Sequence, residues 1–119
     1  MSTFTVQAFI ANPEHPQQRL AIELLVDTGA TYTLLPGEVV RSLGLATPWR
    51  RTAMLASGED VTYAMGHVLM RLDGEEMPTI FLAGPPGCQA LIGAVTLEEF
   101  ALGADPVHRR LVSVPRVLL

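Results

Sequence analysis

Along residues 3–11, "TFTVQAFIA", side chains alternate: Phe4, Val6, Ala8 and Ile10 share one face, Thr3, Thr5 and Gln7 the other. A period of two belongs to a strand with one face in a core and one in water. The period returns in "RLAIELLV", where Leu20, Ile22, Leu24 and Val26 share a side and lead directly into Asp27. Between the two runs, "NPEHPQQ" is a loop, because its two prolines break any ladder. Half-buried strands must close on themselves or stack to hide their apolar faces, which points to a mainly-β barrel or sandwich.

The rest of the chain fits that class. "PGEVVRSLG" predicts a short helix, with Pro36 at its first position, Glu38 at the positive end of the helix dipole and Gly44 at the C-terminal cap. "WRRTAMLASGEDVTYAMGHVLMRL" reads as a long hairpin folded about Ser57-Gly58-Glu59-Asp60, and Asp73-Gly74 marks a second hairpin. Pro78 pushes "TIFLA" toward a sheet edge or delays its start. After the loop "GPPGC", "QALIGAV" is a short apolar run interrupted by Gly93. Thr96 and Glu99 have capping-box spacing, which predicts a second short helix ending near Gly103. "HRRLVSVPRVLL" closes the chain as one more strand. The expectation is about seven short strands and two short helices.

Composition narrows the function. The 119 residues suffice for one domain with a real core, and 49% apolar content argues against disorder. The net charge of -4 comes with no Lys and no basic cluster, which argues against nucleic acid and anionic membrane as partners. No stretch approaches the roughly 18 apolar residues that cross a bilayer, and no basic segment precedes an apolar one as in a signal peptide. Cys88 is the one cysteine, which fits a reducing, cytoplasmic setting, and nothing beside it in sequence would activate the thiol. His15, His67 and His108 lie far apart, so neither a metal nor a cofactor is expected.

Asp27-Thr28-Gly29 is by itself an ordinary turn sequence. Its flanks, "LLV" and "ATYTLLP", are not those of a hairpin turn; they put the carboxylate at the end of a buried strand, where an unpaired charge is costly. Such an Asp is tolerated when donors hold it and chemistry uses it. Thr28 offers a hydroxyl, and Gly29 lets backbone N–H groups approach.

"LLVDTGATYTLLP" resembles the active-site segment of retropepsin-like aspartic peptidases, and "ALIGAVTLEEFALGADP" resembles that family's second landmark, an apolar pair and a glycine entering a short helix. The hairpin "MLASGEDVTYAMG" falls where the family carries its flap. "DPVHRRLVSV" is more similar to the final strand of small prokaryotic members than to that of viral ones. The resemblance implies a closed acid-protease β-barrel, all-β apart from one or two short helices, with one lobe per chain and residues 1–119 as a single domain. It implies Asp27, Thr28 and Gly29 as catalytic residues and Ala30, Ala56, Ser57, Gly58 and Glu59 as substrate-binding residues. Viral members carry an ion pair at the places held here by Thr31 and Ala94, so that brace has no counterpart.

The chemistry of this class needs two carboxylates sharing one proton. Of the four aspartates, only Asp27 is followed by Thr-Gly. The expected enzyme is therefore a homodimer, with Asp27 from each subunit meeting on a two-fold axis and cleaving extended peptide or protein segments. The runner-up is a peptidase-fold dimer that binds peptides or assembles without hydrolysis. A serine hydrolase built on Ser57 is a weaker reading, since its turn lacks the strand–G-x-S-x-G–helix setting.

Overall fold

The alternation seen in sequence becomes burial in space: Ala8, Ile10, Leu24 and Val26 are buried, while Thr5, Gln7 and Glu23 face water. The structure is a computed structural model describing residues 3–119; residues 1 and 2 of the expected domain lie outside it. The elements are β1 (Thr5–Ala11), β2 (Leu20–Val26), β3 (Thr33–Pro36), α1 (Gly37–Ser42), β4 (Trp49–Met54) and β5 (Asp60–Leu72). They continue with β6 (Glu75–Gly84), β7 (Leu91–Ile92), α2 (Ala94–Glu99), β8 (Leu102–Asp105) and β9 (Arg110–Ser113).

Hydrogen-bonded neighbours run β1-β2-β7-β3-β6-β5, and β5 returns to β1 through Leu69–Arg71 against Phe9–Ala11. These six strands thus close into a ring. Inside it, Ile10, Leu24, Leu35, Val68, Met70, Phe81 and Ile92 are fully buried. The fold class is as the sequence implied: mainly β, with two short helices.

The 13-residue β5 serves two partners on one side. Residues 60–65 pair with β4, and residues 69–71 with β1. Gly66 lies at that hand-over, where a side chain would collide with the backbone carbonyl of Ala46. β4 and the first part of β5 therefore form an arm standing off the ring. Its turn, Leu55–Glu59, is closed by Leu55 N–H to Glu59 C=O at 2.8 Å, with Gly58 at φ 89°. Asp60 begins β5 and so falls just outside the turn expected to contain it.

Pro78 lies inside β6, not before it. It is tolerated because β3 pairs with β6 only from Phe81 onward, so at Pro78 the strand has a neighbour on one side. α1 ends as expected at Gly44, whose φ is 62°. Gly44 N–H bonds Arg41 C=O and Leu45 N–H bonds Val40 C=O, the paired bonds of a Schellman cap. Pro36 sits one place earlier than expected, as the N-cap.

The chain's last third departs furthest from the sequence reading. α2 stops at Glu99, and Ala101 adopts a left-handed φ of 54°, which turns the chain into β8. Gly103, expected as the helix terminator, lies within that strand. The closing segment is a hairpin of β8 with β9, and Val114–Leu119 form no strand. At its turn, Asp105 Oδ1 accepts from the N–H groups of Val107 and His108, and Oδ2 lies 2.7 Å from His108 Nδ1. The His108 contact leads in holding the Asp105 carboxyl below its usual range.

Candidate active site

Asp27 leaves β2 at the point where β7 lies beside it. Its N–H donates to Ile92 C=O at 3.1 Å, and its C=O accepts from Ala30 N–H at 3.2 Å. Gly29 N–H donates to Asp27 Oδ1 at 3.1 Å, so the glycine supplies the donor expected of it. Asp27 is half-buried, while Thr28 and Gly29 are exposed. The backbone of Asp27 is anchored to β7, while its carboxylate takes its bond from within the exposed loop.

The loop after Asp27 is braced from behind by the start of α2. Ala94 and Val95 donate their N–H groups to Ala30 and Thr31 C=O at 2.8 and 3.0 Å. This contact requires Gly93: a Cβ there would lie 2.5 Å from the Tyr32 carbonyl atoms and 2.9 Å from Ala30 O. The two landmarks of the sequence are thus one structure, joined backbone to backbone without the ion pair of viral members.

A second brace lies deeper. Thr33, Thr79 and Thr96 are fully buried. Gly93 N–H donates to Thr33 Oγ1, Thr33 and Thr96 hydroxyls are 2.7 Å apart, Thr96 and Thr79 2.8 Å, and Thr79 donates to Glu99 Oε1 at 2.6 Å. Each hydroxyl has one proton, which sets the direction of the whole chain. Thr79 spends its proton on Glu99, so Thr96 must donate to Thr79 and Thr33 to Thr96. The capping-box reading of Thr96 and Glu99 is corrected here. Gly93 is the N-cap without a side-chain cap bond, and both residues serve this relay instead. Thr96→Val leaves a buried hydroxyl without its acceptor and is expected to lower stability by about 1–3 kcal/mol, read from the urea midpoint. A neutral result would show that the relay contributes nothing.

The Asp27 loop stands between two cavities. One, of about 410 Å³, lies under the β4–β5 arm, with Gly29–Tyr32 on one wall and Arg51–Leu55 and Tyr63 on the other. The second, of about 600 Å³, is lined by Asp27, Thr28 and Gly29 together with Phe4, Ala104 and Pro106. Of the residues that the resemblance implies for substrate binding, Ala30 lines the first cavity, whereas Ala56, Ser57, Gly58 and Glu59 sit at the exposed arm tip, outside that lining. The arm residues Arg51, Met54 and Tyr63, with Tyr32 from the loop, are the cleft residues that sequence reasoning missed. Their signal was available only in the tertiary placement of the arm beside the loop, which no local pattern encodes.

Other polar groups are occupied elsewhere. Glu38 accepts from Gly87 N–H at 2.9 Å, a bond that holds its carboxyl below the usual range. Burial pushes the Cys88 thiol up, and Glu38 adds to the effect, so its surroundings disfavour the thiolate. Among the described residues, no group of three His, Cys, Asp or Glu is placed to hold a metal ion, and no helix is long and apolar enough to cross a membrane.

A closed β-ring presenting an Asp-Thr-Gly loop, backed by a glycine-led helix, defines the retropepsin-like class of aspartic proteases. The family model described as aspartyl protease matches residues 17–104, and the chain belongs to that family. Solved structures agree in fold. A retropepsin-like aspartic protease from Rickettsia conorii is 25% identical, with a TM-score of 0.60, covering 87% of this chain and 84% of that one. The retroviral protease-like domain of Ddi1 from Leishmania major is 13% identical, with a TM-score of 0.62, covering 95% and 90%. EIAV protease complexed with the inhibitor HBY-793 is 19% identical, with a TM-score of 0.57, covering 80% and 85%. No curated protein matches the sequence.

Proposed function

We propose that residues 1–119 are a single peptidase domain acting as a homodimeric aspartic endopeptidase on extended peptide segments. Asp27 of each subunit forms the catalytic pair. The observation that carries the reading is the Asp27 loop itself: a carboxylate held at a strand end by Gly29 N–H, with exposed Thr28 and Gly29 and a cavity on either side. One Asp27 of the pair, ionised, takes a proton from water as the oxygen attacks the peptide carbonyl. The other, protonated, polarises that carbonyl, and a proton then passes to the departing nitrogen. Thr28 braces the two loops across the axis, and Gly29 and Ala30 offer backbone to the peptide. The β4–β5 arm, with Ala56–Glu59 at its tip, closes over the peptide as a flap.

The pair needs a second copy because no other aspartate lines either cavity beside the Asp27 loop. Asp60 begins β5, Asp73 is in the β5–β6 turn, and both oxygens of Asp105 are held within its own turn. Val117 and Leu118, 65% and 99% exposed, add apolar surface that a partner would cover. The lone thiol of Cys88 favours the reducing cytoplasm as the setting.

The test is cleavage of a mixed peptide pool at about pH 3 to 7, read by mass spectrometry across a dilution series. Specific activity is expected to fall on dilution as dimers separate. Activity unchanged down to demonstrated monomer would defeat the shared site. A folded dimer that cleaves nothing would instead be a peptide-binding module.

A further inference from the structure

The cavity under the β4–β5 arm has an uneven charge. Of its lining residues only Arg51 is charged at neutral pH, and no Asp or Glu joins it. Arg51 has no ion-pair partner among the described residues. Its guanidinium carbon lies 5.9 Å from the centroid of the Tyr32 ring, at the outer limit of a cation–π contact, which ties the arm to the Asp27 loop. No side-chain hydrogen bond or ion pair occupies the Arg51 guanidinium among the described residues, so its N–H groups can donate to a planar, two-bonded acceptor. The cavity floor is apolar, with Leu34, Leu82 and Leu91, and can take the methylenes of a side chain whose end is polar. Glu59 and Asp60, the nearest acidic residues along the arm, lie at its tip outside the lining. The chain as a whole is negative, so this local positive charge is set against the field around it.

We propose that this cavity is a subsite for an acidic side chain, and that Arg51 determines specificity by pairing with its carboxylate. The inference rests on the reading above that the cleft holds an extended peptide. The substrate class is then a peptide with Glu or Asp at a fixed place relative to the cleaved bond.

Binding and cleavage test the two ideas separately. Apolar eight-residue peptides carry Glu, Gln or Arg at each position in turn. Binding to the Asp27→Asn protein, chosen so that cleavage does not consume the peptide, is followed by fluorescence anisotropy at low and high salt. In one register, Glu is expected to bind on the order of fivefold tighter than Gln, with the advantage shrinking in salt. Arg51→Met in that background should erase the advantage while keeping the apolar stem. Arg51→Glu should invert it in favour of the Arg peptide, a gain that a merely damaged arm would not give. No Glu preference, whether all peptides bind alike or none binds, overturns the proposal; so does a preference that survives Arg51→Met. Cleavage of the same peptides by the native chain reads the other question. A Glu preference in binding without cleavage supports the subsite and removes the peptidase reading. Cleavage with no Glu preference keeps the peptidase and removes the subsite.

Discussion

Asp27→Asn is expected to reduce peptide cleavage by on the order of 10³-fold or more while leaving the protein folded. Asn keeps the shape and an oxygen that can accept the Gly29 N–H bond now made by Oδ1. The backbone bonds to Ile92 and Ala30 do not involve the side chain, so the loop has no reason to open. What is lost is the proton: an amide cannot take one from water or deliver one to the leaving nitrogen. In the shared-site reading both copies change at once, which leaves neither base nor acid. The check is native chain beside variant at matched concentration, with far-UV circular dichroism to confirm folding. Equal cleavage by both would place the activity elsewhere and defeat the role given to Asp27.

The second large effect is expected at Gly93, away from the reacting atoms. Gly93 has φ -99°, which any residue can adopt, so conformational freedom is not why glycine stands there. The reason is proximity: a Cβ would meet the Tyr32 carbonyl atoms at 2.5 Å. Those atoms are backbone and cannot swing aside as a side-chain tip does. Gly93→Ala must therefore part the start of α2 from the Asp27 loop, straining the bonds from Ala94 and Val95 and from Gly93 N–H to Thr33. A loss of about 3 kcal/mol is expected, together with loss of cleavage, since the loop carries the carboxylate. Gly58→Ala is the contrast. Gly58 has φ 89° but nothing within 4 Å of a Cβ, so about 1 kcal/mol of local strain is expected. Urea midpoints for the two variants distinguish the mechanisms. If Gly93→Ala were no worse than Gly58→Ala, the close approach would not bear the weight given to it.

The two glycines show how legibility divides in this chain. Gly58 could be placed from its neighbours, because a turn between two β-rich runs is a local matter. Gly93 could be noticed only as an interruption of an apolar run, or through a resemblance, because the carbonyls that exclude a side chain there belong to residues some sixty positions earlier. β3 lies outside what the sequence predicts for a similar reason. It is four residues long and flanked by β6 and β7, with burial that does not alternate cleanly, so "TLLP" shows no two-residue period. The start of β8 falls within the predicted helix because Leu102 continues the apolar residues of α2, and the left-handed turn at Ala101 has no glycine to announce it.

Thr96 and Glu99 are the sharpest case. Their spacing matches a capping box, and the local rule is sound, but Thr33 and Thr79 offer partners that complete a buried relay. A buried hydroxyl takes the arrangement that leaves no neighbour unpaired, and that cannot be read from residues 96–99 alone. By itself, the sequence determined the mainly-β class, the strand that delivers Asp27, the arm, and the family resemblance, because alternation, turn chemistry and the Asp-Thr-Gly segment act over short spans. Only the tertiary structure decided that Arg51 and Tyr32 share a cleft, that the arm tip lies outside it, and that Gly93 backs the Asp27 loop. Those facts depend on strand register and on contacts between residues far apart in the chain.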